Sequence, residues 1–154
     1  MMPEIRVNNI ELAYEVFGKG APIVWTPGGR SPRDNWVYLL AGQLSANYKV
    51  LIWDRRNGSG ASDIAFEEAP SDVHLWAADL HHLLHALDMS PAVVAGGSGG
   101  AVLALLMAQN YPEDVKGLIL DEIPTDDLDI MGYLVDGQYF QLAGVAESEG
   151  AKIG

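Results

Sequence analysis

A chain of 154 residues has the length of one ordinary domain, and 49% hydrophobic against 19% charged residues gives it the material for a real core. Asp and Glu number 21 against 9 Lys and Arg, a net charge of −12 that repels nucleic acid and anionic membrane, so neither is an expected partner. There is no cysteine, which excludes disulfides, thiolate metal sites and a Cys nucleophile.

The opening stretch MMPEIRVNNIELAYEV is polar and alternating, without the apolar core of a signal peptide. No run approaches the ~18 apolar residues of a membrane span, and the expectation is a cytoplasmic protein. From Ile5 to Phe17 apolar and polar positions alternate, and Asn8-Asn9 supplies a turn, the pattern of an antiparallel hairpin. Pro22 to Trp25 is a short apolar run ending in Thr26-Pro-Gly-Gly29, a buried strand entering a loop. Asp34 is placed to cap a helix through Ser45, with Trp36, Leu39, Leu40 and Leu44 at helical spacing. Tyr48 to Trp53 (YKVLIW) is a second buried strand, followed by the Gly- and Ser-rich loop DRRNGSGASD.

Ser71 or Asp72 starts a second helix, with Val73, Trp76, Leu80, Leu83, Leu84 and Leu87 on one side. A third buried strand covers Ala92 to Ala95, and Gly96–Gly100 interrupts it sharply before helix resumes in AVLALLMAQNY. Pro112 ends that helix, and Val115 to Leu120 makes a fourth strand. The order is a hairpin followed by β-α-β-α-β-α-β. Connections of helical length imply an α/β fold with a mainly parallel sheet and helices on both faces. The tail is acidic, with Asp126, Asp127 and Asp129, and weakly amphipathic around Met131–Leu142. It reads as the start of a further unit, so 1–124 is expected as core and 125–154 as the beginning of a cap.

Gly96-Gly-Ser-Gly-Gly100 fits G-x-S-x-G between an apolar strand and a helix. A turn tight enough to push a Ser side chain out of the sheet strains the Ser and requires neighbours without Cβ atoms. The helix N-terminus behind Ser98 adds partial positive charge where an oxyanion would form. The plainer alternative is a Gly-rich βα turn with a solvent-facing serine or a bound phosphate. No Lys follows the glycines, which argues against a Walker-type loop.

From about residue 5 to residue 124 the chain resembles the α/β-hydrolase family, element by element. Thr26-Pro-Gly-Gly29 stands where family members carry a His-Gly-x loop, and Asp54-Arg-Arg-Asn-Gly-Ser-Gly-Ala-Ser-Asp63 resembles their D-x-R-G-x-G-x-S-D loop. Pro27 replaces the usual His, and Asn57 is an extra residue in the second loop. The resemblance implies Ser98 as nucleophile and an oxyanion hole built from the N–H groups of Gly99 and Gly29. Asp54 is expected to brace its loop rather than act in catalysis.

The stretch Val115-Lys-Gly-Leu-Ile-Leu-Asp-Glu-Ile-Pro-Thr125 resembles the strand of fungal zearalenone lactone hydrolases that reads H-E-L-P-T, whose Glu is the triad acid. The 24-residue separation of Ser98 and Glu122 matches that subgroup. Glu122 is therefore the candidate acid; the alternative is an acid later in a longer protein, with Asp121 and Asp126 as lesser candidates. His74, His81, His82 and His85 all fall on the second helix, and the last three should lie far from Ser98. His81 and His85 at i, i+4 with Asp79 could suggest a metal site, but a solvated helix face is the better reading and no metal is assigned. In the family the base histidine follows the last strand, which places it outside this chain.

The resemblance thus implies a serine hydrolase acting on a small hydrophobic ester or lactone, with a sheet truncated after about its sixth strand. It calls for no metal or organic cofactor. The isolated chain is expected to be inefficient and to need a complementary C-terminal segment or a homodimer. A non-catalytic ligand-binding module on the same fold is the rival reading.

Overall fold

In the computed structural model, which describes residues 3–29 and 35–123, the expected hairpin is β1 (Glu4–Val7) paired with β2 (Ile10–Phe17). Asn8 and Asn9 turn it at φ 48° and 64°, the left-handed pair that matches strand twist in a two-residue hairpin and that Asn tolerates better than most residues. β3 (Ala21–Thr26), α1 (Asn35–Leu44), β4 (Tyr48–Trp53) and α2 (Asp72–Ala86) follow in the predicted order. β5 (Ala92–Gly97), α3 (Gly99–Asn110) and β6 (Val115–Asp121) complete it. Pro112 ends α3 by opening a 3-10 turn, Pro112–Asp114, that the sequence pattern does not announce. Asp34, Asp126 and the expected cap region 125–154 lie outside the described residues.

The six strands lie in the order β1-β2-β4-β3-β5-β6, antiparallel at β1/β2 and β2/β4 and parallel thereafter. From β3 the chain steps through α1 to β4 on one side, then through α2 across β3 to β5 on the other. Right-handed crossovers taken in opposite directions place their helices on opposite faces. The core divides accordingly. Val24, Leu51, Trp53 and Val94 pack against α2 and α3, while Ile23, Trp25, Val50, Ile52 and Ala95 pack against Val37 and Ala41 of α1. The alternation along β3 and β4 is the period of two that a strand buried on both faces must show.

The strand order reverses direction at β3 and β5, and doubly wound sheets bind their ligands at the carboxyl ends of such strands. Pairing of Thr26 with Gly96 brings the loop after β3 and the turn after β5 to that one place. No helix among the described residues is long and apolar enough to cross a membrane.

Candidate active site

Ser98 is the single residue between β5 and α3, is exposed, and has φ 49° and ψ −115°. Six non-glycine residues among those described have positive φ. Four are Asn or Asp, which tolerate it; the other two are Ser98 and Glu122, at the same sheet edge. Strain of this kind is held by its surroundings. A Cβ on Gly96 would collide with the Gly100 carbonyl oxygen, and one on Gly100 with that of Thr26. The glycines therefore serve close approach of backbone to backbone, and α3 starts directly under the loop after β3. The backbone N–H of Ser98 donates to the Asp121 carbonyl (2.9 Å), and its carbonyl accepts from Ala101 (2.9 Å) and Val102 (3.2 Å). The turn is anchored on both sides and its side chain is left outward.

Gly99 is the first residue of α3, so its N–H belongs to the helix turn whose donors have no partner within the helix. On the facing loop, a Cβ on Gly28 would stand 3.0 Å from Ser98 Cβ and 3.7 Å from its Oγ. Gly28, which the motif does not single out, is thus in contact with Ser98. Gly29 follows at φ 53°, with no atom of the described residues within 4 Å of where a Cβ would be. The carbonyls of both glycines are taken by one side chain, Arg55, which donates to Gly29 O (2.7 Å) and Gly28 O (3.3 Å). Its guanidinium also lies 4.6 Å over the Trp76 ring.

Asp54 braces the 54–63 loop, as expected. Asp54 accepts from the Ala61 N–H (2.9 Å), and Ser62 Oγ donates to the Asp54 carbonyl (2.6 Å). The extra residue Asn57 is a latch: at φ 59° its amide donates to Ala65 O (3.1 Å) and Asp72 Oδ1 (3.3 Å) and accepts from Ala65 N–H (2.8 Å). Arg56, fully buried, grips Asp79 with two bonds of 2.7 Å and reaches Glu67 at 3.0 Å.

Glu122 directly follows β6 and is exposed at the carboxyl edge; pairing of Gly97 with Asp121 sets it level with Ser98. The Asp121 carboxylate also comes close, 3.9 Å from where a Cβ on Gly97 would lie. The four histidines lie on α2, as predicted. His74 Nδ1 shares a proton with Ser71 Oγ (2.9 Å). His81 and His85 meet the carboxylate of Asp114, beside the start of β6 and at the edge opposite Ser98. The acid beside these two histidines is therefore Asp114, because Asp79 is consumed by Arg56.

A family model described as the alpha/beta hydrolase fold matches residues 21–147. The chain belongs to the α/β-hydrolase family. A Bacillus subtilis (strain 168) protein named "Uncharacterized hydrolase YraK" is 32% identical over 118 residues, 77% of this chain and 43% of that one. An α/β-hydrolase of Sphaerobacter thermophilus superposes with TM-score 0.67 at 28% identity, covering 77% of this chain and 44% of its own. A thermophilic esterase of Thermogutta terrifontis does so with TM-score 0.65 at 29% identity, covering 77% and 43%. The α/β-hydrolase chain described here spans less than half the length of these relatives.

Proposed function

We propose that the chain is the nucleophile-bearing portion of a serine hydrolase that cleaves small hydrophobic carboxylic esters or lactones through an acyl-enzyme. The observation that carries this reading is Ser98 at φ 49° and ψ −115°, exposed between β5 and α3 at the carboxyl edge of the sheet. Ser98 Oγ attacks the substrate carbonyl carbon, and the carbonyl oxygen becomes an oxyanion that the N–H groups of Gly99 and Gly29 hold. A histidine outside this chain, whose own four lie on α2, takes the serine proton and returns it to the leaving alcohol, and water then releases the acid by the same path. Glu122 orients that histidine. Its support is its level with Ser98 and the positive φ the two residues share. The esterase among the similar structures supports an acyl ester as substrate.

Hydrolysis of short-chain p-nitrophenyl esters by the complete polypeptide tests the reading. Ser98→Ala abolishes turnover, and Glu122→Gln lowers kcat by about 10⁴, as loss of the orienting acid does in a serine protease triad. Asp121→Asn costs only a few-fold. The reverse ranking would transfer the role to Asp121, and small effects from both would place the acid later in the chain. Ligand binding without any turnover would support the non-catalytic module instead.

A further inference from the structure

At the amino edge of the sheet, remote from Ser98, two imidazoles and a carboxylate converge in a way the hydrolytic reading does not use. We infer that His81, His85 and Asp114 form a binding site for one divalent transition-metal ion of the zinc type.

The helix supplies the first half of the site. Residues four apart on α2 share a face, so His81 and His85 emerge one turn from each other on a rigid element. The 3-10 turn after α3 supplies the other half, presenting Asp114 between them. His81 Nδ1 lies 2.6 Å from Asp114 Oδ2, and His85 Nε2 lies 2.7 Å from Oδ1. All three donor atoms fall within 4.8 Å of one another. Around a tetrahedral zinc with bonds of ~2.0–2.1 Å, neighbouring ligand atoms stand about 3.3 Å apart. Forming those bonds opens the two His–Asp contacts by about 0.6–0.7 Å and closes the widest donor pair, up to 4.8 Å apart, by about 1.5 Å. The side chain of His85, 54% exposed, is free to swing by that amount, while that of His81 is 24% exposed.

The surroundings are those of a held ligand set. Ser90 Oγ donates to Asp114 Oδ1 at 2.5 Å, and Tyr111 stacks on His81 with centroids 4.3 Å apart and planes 14° from parallel. Such contacts fix the orientation of metal-binding side chains. Burial of Asp114 works against its charge, but hydrogen bonds from Ser90, His81 and His85 outweigh it and hold the carboxyl below its usual range. Two nitrogens and one oxygen favour zinc, nickel or copper over calcium or magnesium, which take oxygen ligands. Water from the exposed side of His85 completes the coordination. Bound there, the ion ties the last turns of α2 to the start of β6.

The test is calorimetric titration of the untagged, chelator-stripped protein with zinc chloride at neutral pH, paired with thermal melts. One ion per chain, with a melting temperature that rises on saturation, is the expected result. His85→Ala abolishes saturable binding without touching the core, Ser90→Ala weakens it about tenfold, and His82→Ala and Ser98→Ala leave it unchanged. Absence of saturation, or binding that survives His85→Ala, would overturn the inference. Neither result bears on Ser98, because ester turnover persists when the ion is chelated.

Discussion

A serine reaches solvent from the end of a buried strand only when the backbone turns abruptly beneath it, and its neighbours then have no room for side chains. Adding a methyl group at Gly100 sets two effects against each other. Alanine gains about 1 kcal/mol of helix propensity over glycine. Its Cβ, however, meets the Thr26 and Pro27 carbonyl oxygens, which are backbone and cannot swing away. Overpacking of this kind costs about 1–3 kcal/mol. Gly100→Ala therefore lowers the urea midpoint, and an unchanged or raised midpoint would contradict the packing described. Arg55 makes the second residue-scale prediction. It holds both glycine carbonyls of the loop facing Ser98, and its bond to Gly28 O fixes the peptide plane that carries the Gly29 N–H. In the complete polypeptide Arg55→Met lowers kcat toward the 10²–10³-fold loss on the order of a missing oxyanion donor. KM stays near its original value and Arg55→Lys restores part of the rate. A rise in KM at constant kcat would make Arg55 a substrate-binding residue instead. The tight turn at Ser98 was legible because its signal is contained in five consecutive positions. Gly28, Arg55 and Asp114 were not, because each acts on a segment tens of residues away.

At the scale of elements, a buried ion pair and a partly exposed His–Asp cluster join loops to α2. Arg56 and Asp79 satisfy each other in the interior, the arrangement in which removing one partner is costly. Arg56→Met leaves a buried carboxylate without its cation and costs about 3–5 kcal/mol by urea unfolding. Adding Asp79→Leu recovers much of that loss. The second cluster predicts a pH dependence. Asp114 has a folded-state pKa below its unfolded value, so its contribution is complete above the unfolded value and is lost as pH falls through the folded one. The stability difference between the wild type and Asp114→Asn should accordingly be large at neutral pH and shrink below about pH 4. A difference that does not shrink below about pH 4 would refute the assignment. The elements themselves were readable from periodicity and punctuation: Asn8-Asn9, Pro112 and the YKVLIW run fall where expected. The contents of the 54–63 loop were not, since nothing local shows that Asn57 latches onto Ala65 and Asp72.

For the whole molecule, alternation of strands and helices with short connections leaves few topologies, and the handedness of crossovers selects among them. That is why the layered sheet was legible, while the partners of the edge strands were not. β6 is outermost among the described residues, and Ile119 on it is 48% exposed. A strand in that position pairs readily with another chain. With its four histidines on α2, the 154-residue chain has no imidazole placed against Ser98, and the serine stays a weak nucleophile. The isolated chain should therefore hydrolyse p-nitrophenyl esters poorly and elute from size exclusion as more than a monomer. A monodisperse monomer with ordinary esterase rates would contradict this. The central claim, that Ser98 is an activated nucleophile, is tested most directly by labelling the complete polypeptide with a fluorophosphonate and mapping the adduct by mass spectrometry. A single adduct on Ser98, absent from Ser98→Ala, is the predicted result; label that survives the substitution, or maps to Ser59 or Ser62, would contradict it.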